Sequence, residues 1–146
     1  MIEFEFIEVE IPGFDSEFFV FTVDSLIVSE KFKPGEITII FCSDDYLLDK
    51  NRAYLNHDYY TDIITFDYSE NDFVSGDLFI SFDRVKDNAN TYGISFENEL
   101  KRVVYHGILH LCGYKDKTEK DVIEMREKEN YYLSQFVSRE TNGGFS

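Results

Sequence analysis

The sequence predicts one domain of mixed α and β structure, on three observations. Alternating or β-branched runs recur between turn signals, apolar residues at helical spacing recur between capping residues, and 146 residues suffice for one buried core. With 43% hydrophobic residues, including 15 Phe and 10 Tyr, the chain has enough large apolar side chains to fill that core, which excludes wholesale disorder.

Residues 2–9 alternate, with Ile2, Phe4 and Phe6 against Glu3 and Glu5, which is the period of a half-buried strand. A short helix is expected within Phe14 to Leu26. Lys33-Pro34-Gly35-Glu36 reads as a turn, and the β-branched run Ile37–Cys42 as a buried strand after it. Ser43 with Asp44 and Asp45 can cap a helix reaching about Leu55. Two strands follow, Ile63–Tyr68 and Gly76–Phe82, then a helix from Arg84 to Tyr92 ended by Gly93. A last helix, capped by Thr118, is expected to bury Val122, Met125, Tyr132 and Phe136 and to leave the charged run Glu119–Glu129 in solvent. Residues 1–138 are expected to form the domain, and 139–146, with Asn142-Gly143-Gly144, a disordered tail.

Fourteen Lys and Arg against 29 Asp and Glu leave a net charge of −15, the reverse of the footprint of a protein that binds nucleic acid chiefly through phosphates. Two cysteines, Cys42 and Cys112, are too few for a disulfide scaffold and read as small buried hydrophobes. No stretch is long and apolar enough to span a membrane, and the start lacks the pattern of a secretory signal, so a cytoplasmic protein without a membrane partner is expected.

The chemistry concentrates in residues 96–116. Phe96, Leu100, Val103, Val104, Ile108 and Leu111 recur at helical spacing behind Ser95, a good N-cap. His106 and His110, two of the three histidines in the chain, lie one turn apart on one face, where two imidazoles can reach one ion. Gly113 suits the left-handed position that ends a helix, and Asp116 follows where a carboxylate can complete a three-point site. Paired histidines at this spacing also occur as core residues; the glycine turn and the third donor at fixed offset favour a metal site. Gly107 stands where a His-Glu-x-x-His metalloprotease keeps its general base.

The string His106-Gly107-Ile108-Leu109-His110-Leu111-Cys112-Gly113-Tyr114 resembles the signature of the YbeY family, metal-dependent endoribonucleases that mature rRNA. The likeness extends to Asn51-x-x-Tyr54, Asp58-x-x-Thr61-Asp62-Ile63-Ile64-Thr65-Phe66 and Gly76-Asp77-Leu78-Phe79-Ile80-Ser81, with Met125 and Glu129 on the C-terminal helix, over roughly residues 40–130. It implies an α+β fold of the zincin-like kind, in which helices pack on a small mixed β-sheet around a central metal-binding helix. The activity implied is single-strand-specific endoribonuclease action in rRNA maturation (16S 3′ end processing) and ribosome quality control. The partners implied are an rRNA precursor and a ribosomal subunit or its proteins, not DNA.

By the same resemblance one zinc ion is held by His106, His110 and Asp116, and the catalytic candidates are His106, His57 and Arg84. The chain departs from the family twice. Asp116 stands where the family usually has a third histidine, and aspartate is still a valid zinc ligand. Leu55 stands where an arginine commonly follows the tyrosine, and Arg52, His57, Arg84 and Arg102 are the candidates to replace its charge. RNA is expected between the metal helix and strand Ile63–Tyr68, with Tyr59, Tyr60 and Tyr68 for base stacking, and Asp62 near that cleft without a catalytic role. A zinc metallopeptidase and a non-catalytic ribosome-assembly module with a structural metal are the alternatives.

Overall fold

In the computed structural model, which describes residues 1–57 and 60–136, the first β-strand, β1 (Ile2–Ile7), leads through the helix α1 (Ser16–Ser29) to β2 (Lys33–Cys42). Then come α2 (Asp44–Leu55), the strands β3 (Ile63–Asp67) and β4 (Phe73–Ser81), and the helices α3 (Phe82–Tyr92), α4 (Phe96–Leu111) and α5 (Glu119–Gln135). Asp58 of the family-like motif, Tyr59 and the expected tail lie outside the described residues.

The strands form one mixed sheet in the order β1-β2-β4-β3. β1 and β4 flank β2 in parallel, while β3 runs antiparallel to β4, pairing Ile63 with Ile80 and Asp67 with Gly76. Ile37, Ile39 and Phe41 of β2 and Val74, Leu78 and Ile80 of β4 pack into the main core with α1, α4 and α5. The alternate residues Cys42, Ile64 and Phe79 face a smaller cluster with Leu47 of α2, as a side-chain period of two requires. The sheet is therefore covered by helices on both faces. α4 is the central helix and touches α1, α3, α5, β3 and β4.

The caps fall where the sequence places them. The side chains of Ser43, Ser95 and Thr118 accept from the backbone N–H groups of Tyr46, Asn98 and Asp121, and Gly93 ends α3 in the left-handed region at φ 67°.

Two expectations are corrected. Lys33–Glu36 is not a free turn: β2 begins at Lys33 and pairs with Phe73 and Val74, then shifts register between Pro34 and Ile37. The proline and glycine sit at that irregularity, the place in a strand that tolerates them. The expected buried stripe of α5 fails at Val122, which is 49% exposed on the first turn, while Met125 and Tyr132 are buried. Glu129, expected in solvent, is 4% exposed on the same inward face.

Candidate metal centre and adjoining cleft

α4 presents His106 and His110 on one face, and the chain after it brings Asp116 back to them. The return is a Schellman turn: the Gly113 N–H bonds the His110 carbonyl (3.0 Å) and the Tyr114 N–H bonds that of Leu109 (3.0 Å), with Gly113 at φ 108°. The Tyr114 hydroxyl then donates to Glu30 at the end of α1 (2.6 Å), which also accepts from Lys128 (3.1 Å) and from the Tyr132 hydroxyl. The turn is thus tied to both α1 and α5. The cap of α5 is Thr118, so Asp116 has no capping task.

Each imidazole is oriented by its Nδ1. His110 Nδ1 lies 2.9 Å from the Tyr114 carbonyl, and His106 Nδ1 lies 2.7 Å from Glu129 Oε2. Both partners accept in those contacts, which assigns the proton to Nδ1 and leaves both Nε2 atoms as donors of a lone pair. The two Nε2 atoms face Asp116 Oδ2, at 3.5 Å from His106 and 3.2 Å from His110. One ligand atom from each residue falls within 4.8 Å of the others. Lone pairs aimed at a carboxylate oxygen are what a cation reconciles, so this donor set fits a divalent metal.

Glu129 is in turn held by Arg102 Nη1 (2.9 Å) and by Arg126 Nη1 (3.5 Å), and Arg102 Nη2 donates to Asn130 (2.9 Å). Burial raises a carboxyl pKa, yet the hydrogen bonds from His106 and Arg102 outweigh it and keep Glu129 below the ordinary range. His106 is shifted upward: burial alone would depress it, but the bond to Glu129 and the charges of Glu129, Asp62 and Asp116 prevail.

Beside the histidines opens a cleft of about 310 Å³ between α3, α4 and α5. Asp62 and Glu99 are among its walls, with Arg102, Arg126, His106 and Asp116. Burial raises the carboxyls of Asp62 and Glu99; His106 opposes the shift at Asp62, and the charge of Asp62 adds to that at Glu99. Asp62, just before β3, reaches the opening of this cleft, and α4 packs on β3 beside it.

Of the predicted site residues, the structure brings together His106, His110 and Asp116. Arg84 lies at the start of α3, paired with Asp44 (3.1 Å) and Asp87 (3.4 Å), and His57 is exposed beyond the end of α2; neither lines this cleft. Arg52 stays on α2 beside Asp49. Tyr60 bonds Asp45 and Tyr68 bonds Asp77, also outside the cleft. Among the candidates for the missing family arginine, Arg102 is the one on the cleft wall. Sequence reasoning missed Glu129 and Arg126 as parts of the site and gave Glu99 no role. The available signal was two Glu on the buried faces of α4 and α5, whereas Arg126 is exposed and carried none.

Gly107 has a packing reason. A Cβ there would lie 2.6 Å from Leu78 Cδ2 and 2.7 Å from Ile63 Cδ1, so α4 approaches the sheet where position 107 has no room for a side chain. A base glutamate of the peptidase kind at that position would have to displace the buried ends of Leu78 and Ile63.

The family profile described as Endoribonuclease YbeY matches residues 10–137. The chain belongs to the YbeY family. A Flavobacterium psychrophilum protein named Endoribonuclease YbeY is 48% identical over 136 residues, 93% of this chain and 96% of its own length. One of the same name from Bacteroides thetaiotaomicron is 56% identical over 100 residues, 68% of this chain and 73% of its own. The solution structure of TM1509 from Thermotoga maritima superposes with a TM-score of 0.67 at 30% identity, covering 93% of this chain and 89% of that one. YbeY-family likeness therefore extends beyond residues 40–130 to α1, and the α+β fold follows with it. Among the described residues, no helix is long and apolar enough to cross a membrane.

Proposed function

We propose that the chain is a metal-dependent endoribonuclease of rRNA maturation, with His106 Nε2, His110 Nε2 and Asp116 Oδ2 holding one zinc ion. The observation that carries this is the convergence of those three atoms beside a cleft, with both Nδ1 atoms committed elsewhere. Relatives covered over nearly their whole length and named for endoribonuclease activity supply the reaction class. A zinc ion there supplies Lewis acidity toward a phosphoryl oxygen and acidifies water.

The chain's own residues do the rest. Glu129 and the Tyr114 carbonyl hold the two imidazoles in the ligating tautomer. Arg102 and Arg126 place positive charge at the cleft wall, where it can offset charge developing on a phosphodiester. Asp62, its pKa raised by burial and its charge coupled to His106, can carry a proton at the cleft edge. The crowding at Gly107, where a base would displace Leu78 and Ile63, supports this reading over a peptidase, and a set of three protein donors among the described residues supports it over a structural metal, which four protein ligands usually close. With net charge −15, a basic ribosomal partner is the complement that brings the RNA, in the cytoplasm.

Metal analysis and an RNA-cleavage assay on the wild type and His106→Ala test the reading. The wild type should carry one zinc per chain and cleave single-stranded RNA, and His106→Ala should lose both; cleavage undiminished in metal-free protein would overturn it.

A further inference from the structure

Behind the candidate ligands, the cleft holds a carboxyl that the hydrolytic reading leaves unused. Glu99 is 4% exposed, lines the cleft, and its Oε1 has no hydrogen-bond partner among the described residues. A buried acceptor without a donor costs about 1–3 kcal/mol, so a ligand that brings a donor into the cleft recovers that cost. Asp62, Asp116 and Glu129 share the walls with Glu99, and four carboxylates against Arg102 and Arg126 disfavour a phosphate in the interior around Glu99, so the phosphodiester stays at the mouth beside His106 and Asp116. A neutral, flat group with donors on one edge and an acceptor on another fits this interior, and the volume of about 310 Å³ admits one nucleobase.

The four RNA bases differ in what they offer a carboxylate. Uracil has one N–H between two carbonyl oxygens, which repel it. Cytosine and adenine place a ring-nitrogen acceptor beside their amino group. Guanine presents two adjacent donors, N1–H and the 2-amino group, with no acceptor between them, and offers O6 and N7 to a guanidinium. Arg126 is suited to that second contact: its side chain is 59% exposed on the cleft wall, with an ion pair to Glu129 made through Nη1. Tyr92, an exposed aromatic on the α3 wall, can stack on the base, as aromatic side chains do on unpaired RNA bases.

We infer that the cleft between α3, α4 and α5 is a guanine-reading subsite, in which Glu99 accepts from the Watson–Crick edge of a base whose phosphodiester lies at His106, His110 and Asp116. This rests on the RNA-cleaving reading and adds a base preference to it.

The test measures binding of hydrolysis-resistant phosphorothioate pentanucleotides UUXUU by the full-length, metal-loaded protein, together with cleavage of the matching phosphodiesters. X is guanosine, inosine (which lacks only the 2-amino group) or uridine. Guanosine should bind about tenfold tighter than inosine or uridine, and Glu99→Gln should erase most of that preference while leaving the affinity for the uridine oligomer unchanged. Thermal melting checks that Glu99→Gln is folded; if it is not, the wild-type guanosine–inosine comparison still decides. Equal binding of all three with normal cleavage overturns the subsite and leaves the nuclease reading intact. Guanosine preference without cleavage keeps the subsite and overturns the nuclease reading. Failure both to bind and to cleave any of the oligomers overturns both.

Discussion

The two faces of α4 obey different rules. One face, with Val104, Ile108 and Leu109 fully buried, is set by shape: it lies on β3 and β4 closely enough that any side chain at position 107 would push against Leu78 and Ile63. The other, with Arg102, His106 and His110, is set by pairing: each of these groups is tolerable there because a partner from α5 or the following loop meets it, and Glu99, whose Oε1 has no partner among the described residues, is the exception on that face. Rigid packing on the first face gives the second a fixed base, so a small error in the first should reach the site.

The largest effect is therefore expected on the packing face. Gly107→Glu should destabilise the fold by about 3 kcal/mol or more, because a charge would be driven against Leu78 and Ile63, and it should lose metal rather than gain peptidase activity. Chemical denaturation with metal analysis checks this. On the pairing face, Glu129→Gln keeps the volume but removes the charge that orients His106. Zinc affinity should fall about 10- to 100-fold in a competition titration, with a smaller loss of stability.

The pH dependence separates the faces further, in metal-free protein. Glu129 has a lowered pKa, so its contribution is complete above its unfolded pKa of about 4.3 and is lost as pH falls through the folded value. His106 has a raised pKa, so its contribution is complete below its unfolded pKa of about 6.5 and is lost as pH rises through the folded value. Stability from this pair should thus plateau between about pH 4.3 and about pH 6.5 and decline on both sides, and Glu129→Gln should flatten the acid side in thermal melts. The smallest effect is expected at an exposed side chain on the rim of the cleft. Val122→Ser should change stability by less than about 0.5 kcal/mol, since that side chain is exposed.

The same contrast explains what the sequence revealed. Local rules suffice for α4 itself: Ser95 caps it, apolar spacing orients it, and Gly113 turns the chain back to deliver Asp116. They also fix the starts of α2 and α5 at Ser43 and Thr118. Glu129 was out of reach because it lies 23 residues from His106, and its burial is decided by α5 docking on α4. A stripe chosen by hydropathy therefore took Val122 and passed over a glutamate that lies between Met125 and Tyr132 on the buried face. Pro34-Gly35 misled for a related reason: parallel pairing with β4 continues through an irregularity that, read locally, is a turn. The replacement for the arginine absent at Leu55 was legible only as a short list, and of its members Arg102 is the one that helix packing brings to this cleft's wall.

The central claim, that Asp116 completes a metal site with His106 and His110, is tested most directly by zinc stoichiometry in Asp116→Ala and Asp116→His. The account predicts that Asp116→Ala releases the metal while Asp116→His, which restores a nitrogen donor at the same point, keeps it near one per chain. Full zinc occupancy at unchanged affinity in Asp116→Ala would contradict it.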